Sequence, residues 1–196
     1  MCGGEGTRLE SAHEKPLHPI DGVPMIDRVL GALAESRADT IYAAVSPNVP
    51  ETRAHLEDTD ASSTGVTTLE TAGDGYVTDL MALLERSAIE RPVLTVAADL
   101  PLLEPATIDR ILSIHGDRDA SRTVAVPHAL KCRLGVSGDA TLEAADHLAP
   151  TGVNVVGDSD SESMIHPSYD PRLAINVNRR EDARTAADWL AAEGDC

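Results

Sequence analysis

The sequence predicts an α/β fold: a three-layer, doubly wound, mostly parallel sheet, with residues 1–196 forming one domain. Three observations predict it. Short apolar runs alternate along the chain with stretches of helical periodicity. Several of those runs are apolar throughout, as suits strands covered on both faces. The polar residues best suited to chemistry follow directly after the runs, where open α/β sheets hold their ligands.

The elements follow in order. The opening "MCGGEGTRLESAHEKPL" is a glycine-rich loop ending in a lysine. Such loops ordinarily follow a buried strand, yet no apolar run precedes this one. The expected sheet therefore lacks its first strand, and the true start is expected upstream of Met1. Residues 24–36, 50–58, 76–88, 104–116 and 180–194 show helical spacing. Several of these open with proline or an acid in the first turn, as helix starts do. Residues 40–46, 65–71, 92–98 and 122–128 read as strands. In the last helix, Trp189 and Leu190 are expected to pack on the sheet. The stretch 129–172 is less regular, and the polar run 157–170 reads as a surface loop. A strand near 174–178 places Asn176 and Asn178 on one face, just before the final helix.

Composition narrows the function. The chain of 196 residues carries 33 acidic and 16 basic residues, a net charge of -17, and no phenylalanine. Only Lys15 and Lys131 are lysines. Acids spread along the whole chain fit a protein of a salty cytoplasm, where screening relieves self-repulsion. The same charge argues against a nucleic-acid partner, which needs a basic face. Cys2, Cys132 and Cys196 are odd in number and show no CxxC spacing, which suits a reducing cytoplasm without disulfides or zinc. Cys2 has no partner base and reads as a small loop residue. The histidines show no metal-ligand spacing. No run reaches membrane-spanning length, so stable membrane insertion is not expected. The sequence is compatible with a homodimer.

Three features could carry chemistry. In the first, Gly3, Gly4 and Gly6 let backbone N–H groups approach a phosphate, while Arg8 and Lys15 neutralise it. The alternative is a plain turn. In the second, Asp99 ends a buried strand in "AADLPLL", where its carboxylate can hold Mg²⁺ or cap a turn. In the third, Asn176 and Asn178 of "AINVN" can bind a phosphate, a ribose or a metal water; Asn178 can equally cap the last helix.

The pattern G-G-x-G-T-R-L…K-P-L is similar to the signature of nucleotidyltransferases that use nucleoside triphosphates. With "SPNVPET", "TAGDGYVTDL", "AADL", "NVV" and "INVN", the chain resembles the archaeal GTP:adenosylcobinamide-phosphate guanylyltransferases. These are relatives of the molybdenum-cofactor guanylyltransferases, and the resemblance runs from Met1 to about Leu190. It implies a Rossmann-like nucleotidyltransferase fold and transfer of GMP from GTP to adenosylcobinamide phosphate in cobalamin biosynthesis. Gly3, Gly4, Gly6, Thr7 and Arg8 would wrap the GTP phosphates, and Lys15 would contact the phosphates undergoing substitution. Ser46, Asn48, Gly73, Gly75, Tyr76 and Asp79 would line the base and ribose pocket. An Asp79 carboxylate can accept from both guanine N1–H and the exocyclic amine, or it can be an exposed helix-face acid. Asp99 would sit by the α-phosphate with Mg²⁺, and Gly152, Asn154, Asn176 and Asn178 would close the acceptor side. A different acceptor, such as molybdopterin or a sugar phosphate, and a non-catalytic nucleotide-binding module both stay open. Family members begin with a short strand before the glycines; this chain begins in the loop.

Overall fold

In the computed structural model, which describes residues 1–2, 7–9, 11–58 and 65–194, the expected alternation of strands and helices is present. A hairpin of β1 (Pro19–Ile20) and β2 (Val23–Pro24) turns through Asp21 and Gly22, both at positive φ. It leads into α1 (Met25–Ala34). There follow β3 (Ile41–Val45), α2 (Pro50–Asp58), β4 (Val66–Glu70), α3 (Tyr76–Leu84), β5 (Val93–Val96) and α4 (Pro105–His115). The second half holds β6 (Ala120–Pro127), α5 (His128–Leu134), β7 (Leu148–Val156), β8 (Ser159–Pro167), α6 (Pro171–Ala174) and α7 (Arg180–Gly194).

Strands β3 and β4 pair in parallel, from Ile41 opposite Val66 to Val45 opposite Glu70. A second ladder runs β5-β7-β6-β8. There β7 is antiparallel to both neighbours and β8 is parallel to β6, so only β7 opposes the common direction. Residues 1 and 2 join the two ladders. The Cys2 amide donates to the Ala44 carbonyl at 2.9 Å, and the Met1 amino group donates to the Val96 carbonyl at 3.1 Å. Cys2 is buried beside Ile26, Ala43 and Val45, consistent with a packing role.

The core explains the sequence pattern. Helix α1 buries Met25, Ile26, Val29 and Ala32, a stripe at helical spacing. Val29 and Ala32 meet Ile108 and Ile111 of α4 and the sheet residues Val124, Val126, Val153 and Val155. Full burial of each such side chain is worth about 1.5–3 kcal/mol. Trp189 and Leu190 pack against a third cluster built on Leu9, Ile20, Met25 and Ile175.

Two expectations are corrected. Residues 157–170 are not a surface loop, since most of them form β8, the edge strand of the ladder. Its polar character reflects a strand with a neighbour on one side only. The connection from β7 to β8 passes close to the start of β6 at Gly157, where an added Cβ would lie 2.0 Å from the Asp119 carbonyl oxygen. Residues 175–178 are also not in a ladder; they run on from α6 with one bond, Val177 N–H to the Asp99 carbonyl, at 2.9 Å. Alternation survives there all the same. Ile175 and Val177 are buried in the third cluster, and Asn176 and Asn178 point the other way, to the polar groups described below. No helix among the described residues is long and apolar enough to cross a membrane.

Candidate active site

Asp99 lies just past the carboxyl end of β5. The chain leaves the ladder with Ala97 N–H bonded to the Gly152 carbonyl, and buried Leu100, Leu102 and Leu103 fix the turn that follows. This holds the Asp99 side chain in one place. Lys15 reaches it from a 3₁₀ turn, Lys15–Leu17, whose Pro16 is buried. That turn is itself tied down by Glu14. Its carboxylate accepts from the Glu51 and Thr52 amides and the Thr52 hydroxyl at 2.6–2.9 Å, capping the start of α2.

Lys15 Nζ donates to Asp99 Oδ2 at 2.7 Å and to Asn178 Oδ1 at 2.8 Å. The Lys15 and Asp99 side chains are 18% and 17% exposed, so the pair is held largely out of water. Asn176 Nδ2 donates to the other Asp99 oxygen at 3.0 Å and to the Thr151 carbonyl at 2.8 Å. Asn176 Oδ1 accepts from Lys131 Nζ at 2.9 Å, and Lys131 also donates to the Ala174 carbonyl at 2.7 Å. Both lysines of the chain thus meet in one network. Burial pushes the Lys131 ammonium below the usual lysine range, while the Asp99 and Asp182 carboxylates pull it back.

Asn178 does not cap the last helix through its side chain, which is bound to Lys15. The cap is Asp182, which accepts from the Asn178 and Arg179 amides and from Ser137 at 2.6–2.9 Å. An acid in the first helical turn reaching back to the preceding amides is one half of a capping box.

Two clefts flank this cluster. The first, about 340 Å³, is lined by Lys15, Asp99, Tyr76 and Asp79, with Ala44, Ala97 and Ala98 adding small apolar surface. The 46–48 and 71–75 loops pack together beside it. Gly73, at φ +81°, would set a Cβ 3.2 Å from Pro47 and 3.3 Å from Asn48. The Ser46 hydroxyl accepts from the Asn48 amide at 3.3 Å. Gly75 precedes α3 at φ +112°. Asp79 is buried, not an exposed helix-face acid. Its carboxylate takes the Gly73 and Asp74 amides and the Thr71 hydroxyl at 2.9–3.3 Å, and so shapes the loop. The Tyr76 hydroxyl meets the Thr95 hydroxyl at 3.2 Å, and the Asn154 side-chain amide donates to the Thr95 hydroxyl at 3.5 Å.

The second cleft, about 220 Å³, is lined by Arg8, Lys131, Asn176, Asn178, Ser137 and Asp139. Arg8 is bound to Asp139 at 2.9 Å, and Arg179 holds the same carboxylate at 2.9 and 3.0 Å. Gly152 sits in β7 at φ +83°, where a Cβ would come within 2.7 Å of Ala97 Cβ. Close packing requires glycine there.

The expected site residues thus group as follows. Lys15, Asp99, Asn176 and Asn178 are in direct contact. Tyr76, Gly75 and Asp79 line the first cleft, with Ser46, Asn48 and Gly73 at its loops. Arg8 lies on the second cleft, and Asn154 joins Thr95 behind Tyr76. Gly3, Gly4, Gly6 and the Thr7 side chain lie outside the described residues. Sequence reasoning missed Lys131, Glu14 and Asp182; only Lys131 carried a signal, as one of two lysines. Among the described residues no cluster of three or more metal-ligating side chains occurs. Asp99 alone fits a triphosphate-bound Mg²⁺, which commonly takes one or two protein carboxylates and fills its other positions with phosphate and water.

The sequence was compared with known proteins. The profile described as "MobA-like NTP transferase domain" matches residues 1–191. The chain is 27% identical over 194 residues to the adenosylcobinamide-phosphate guanylyltransferase of Methanocaldococcus jannaschii, covering 99% of this chain and 97% of that one. Its fold is similar to a CMP:2-keto-3-deoxy-manno-octonic acid synthetase complexed with CTP (TM-score 0.64, 13% identity, 94% and 95% of the two chains). It is also similar to a putative glucose-1-phosphate thymidylyltransferase from Bacillus anthracis (TM-score 0.68, 10% identity, 96% and 92%). At those identities the two structures bear on the fold alone.

Proposed function

This chain belongs to the MobA-like NTP transferase domain family and is a nucleotidyltransferase, and we propose that it transfers GMP from GTP to adenosylcobinamide phosphate. The observation that carries the reading is the Lys15–Asp99–Asn178 cluster, set between two clefts past the carboxyl end of β5. The first cleft takes the nucleotide, with the base toward Tyr76 and the 71–75 loop and the triphosphate toward Lys15. The full-length similarity to the guanylyltransferase supports guanine as the base and the corrinoid phosphate as acceptor.

In the reaction an oxygen of the acceptor phosphate bonds to the α-phosphorus of GTP. The bond from that phosphorus to the α,β-bridging oxygen breaks, and pyrophosphate leaves with the electron pair. A phosphate monoester is already anionic, so no strong general base is needed. Catalysis is alignment plus neutralisation of charge. Lys15 is the group for this. It trades its Asn178 and Asp99 contacts for the phosphate oxygens, and Asp99, still held by Asn176, would hold the metal. Bound Mg²⁺ would withdraw charge from the triphosphate.

GTP labelled at the α-phosphate, offered with adenosylcobinamide phosphate, molybdopterin and a sugar 1-phosphate in turn, tests the reading. Label should pass to the corrinoid. Transfer to one of the other two alone would reassign the acceptor.

A further inference from the structure

Lys131 has no part in holding the nucleotide as described above. Its side chain is buried, and its ammonium spends two of three N–H donors on neutral oxygens, those of Ala174 and Asn176. Among the described residues it forms no ion pair. A buried cation with no carboxylate in direct contact is costly to keep, even with Asp99 and Asp182 nearby. The chain has 16 basic residues, of which 16 − 2 = 14 are arginines, and yet a lysine stands here. A compact point charge with a free N–H suits a single phosphate oxygen.

Lys131 also lines the second cleft, with Arg8, Asn178 and Ser137. Asp139 is the one carboxylate among the lining residues, and Arg8 and Arg179 both bind it. The described residues that line the cleft therefore carry a net positive charge, within a protein of net charge -17. It lies on the far side of Asn176 from Asp99, which donates no contact to it.

We propose that Lys131 forms the subsite for the acceptor's terminal phosphate. The proposal rests on the reaction above and names the groups that seat its nucleophile. A phosphate monoester enters the second cleft, an oxygen on Lys131 Nζ, while the triphosphate occupies the first. In-line displacement needs the attacking and leaving oxygens on opposite sides of the phosphorus, and two clefts flanking one cluster supply that arrangement. Lys131 gives up no proton. It places the phosphate oxygen that bonds to the α-phosphorus, and through Asn176 it also steadies Asp99.

The two lysines make the test direct. Protein with isotopically labelled lysine gives two side-chain resonances, assigned with Lys15→Met. The α,β-methylene analogue of GTP, which cannot release pyrophosphate, is added to saturation, and inorganic phosphate is then titrated. The analogue should move the Lys15 resonance, and phosphate should then move the Lys131 resonance to a plateau. Phosphate that leaves the Lys131 resonance in place overturns the proposal. A Lys15 resonance that ignores the analogue sinks the GTP reading separately, because the phosphate arm is also run without nucleotide. In turnover, Lys131→Met should raise the acceptor KM roughly 10–100-fold, the value of one hydrogen bond to a charged group, with the GTP KM within about twofold. Equal rises in both KM values would mark Lys131 as a structural prop and overturn the proposal. If that variant does not fold, the resonance experiment on the wild-type chain decides alone.

Discussion

Gly152→Ala separates two reasons for a glycine at this site. The resemblance assigned Gly152 to the acceptor side; the structure gives it a packing role. Its φ of +83° is one that L side chains rarely adopt, and its Cβ would stand 2.7 Å from Ala97 Cβ. The backbone term is roughly 1–2 kcal/mol. Forcing apart two packed strands adds about 1–3 kcal/mol. The sum is about 2–5 kcal/mol, and for a chain of this length Tm falls by roughly 2–4 °C per kcal/mol, so about 4–20 °C in all. Ala97 is two residues before Asp99, so turnover falls as well and cannot discriminate. The double variant Gly152→Ala with Ala97→Gly can. It removes the steric contact and leaves the backbone strain, so it should recover about half of the lost stability, less roughly 0.5–1 kcal/mol for glycine in an extended segment. Urea and thermal unfolding of the wild type, Gly152→Ala, Ala97→Gly and the double variant would measure this. A Gly152→Ala protein that melts like wild type but fails to turn over would refute the packing argument. So would a double variant no more stable than the single one.

Three further outcomes are expected. Lys15→Ala should cut kcat roughly 10²–10³-fold, the usual cost of one lost charge-stabilising donor, while circular dichroism keeps its wild-type form; unchanged pyrophosphate release would remove Lys15 from the mechanism. Asp79→Asn should raise the GTP KM and leave kcat largely intact, because an amide cannot accept all three of the bonds that shape residues 71–75; a lowered kcat at unchanged KM would contradict that role. His115 is buried, its ring nitrogens have no hydrogen-bond partner among the described residues, and burial and the nearby Arg122 hold its pKa below 6.5. The unfolded chain therefore takes up this proton first, and stability present above pH 6.5 is lost as pH falls through the folded value. His115→Leu should flatten that part of the pH–stability curve, and an unchanged slope below pH 6.5 would show that other groups cause it.

Much of this was legible in the sequence, for identifiable reasons. Apolar runs such as "PVLTVAA" suit covered strands, and β3, β4, β5 and β6 lie within the stretches that read as strands. Asp99 and the two asparagines were legible because each sits beside buried residues of opposite facing: Ile175 and Val177 go inward, so Asn176 and Asn178 go to the cluster. Strand β8 was not legible, because an edge strand has no need of apolar residues on its open side and "SDSES" reads as a loop. Glu14 and Asp182 were missed because capping depends on which helix start a side chain reaches, and Glu14 reaches one 37 residues away. Asp79 was seen as a ligand or an exposed acid; its use as an internal clamp on its own loop needed the fold.

The most direct measurement is pyrophosphate release from GTP, in KCl sufficient to screen the charge of -17, with and without adenosylcobinamide phosphate. The account predicts release that depends on the corrinoid and is lost in Lys15→Ala. GTP that binds the first cleft with no release in the presence of the corrinoid would contradict it.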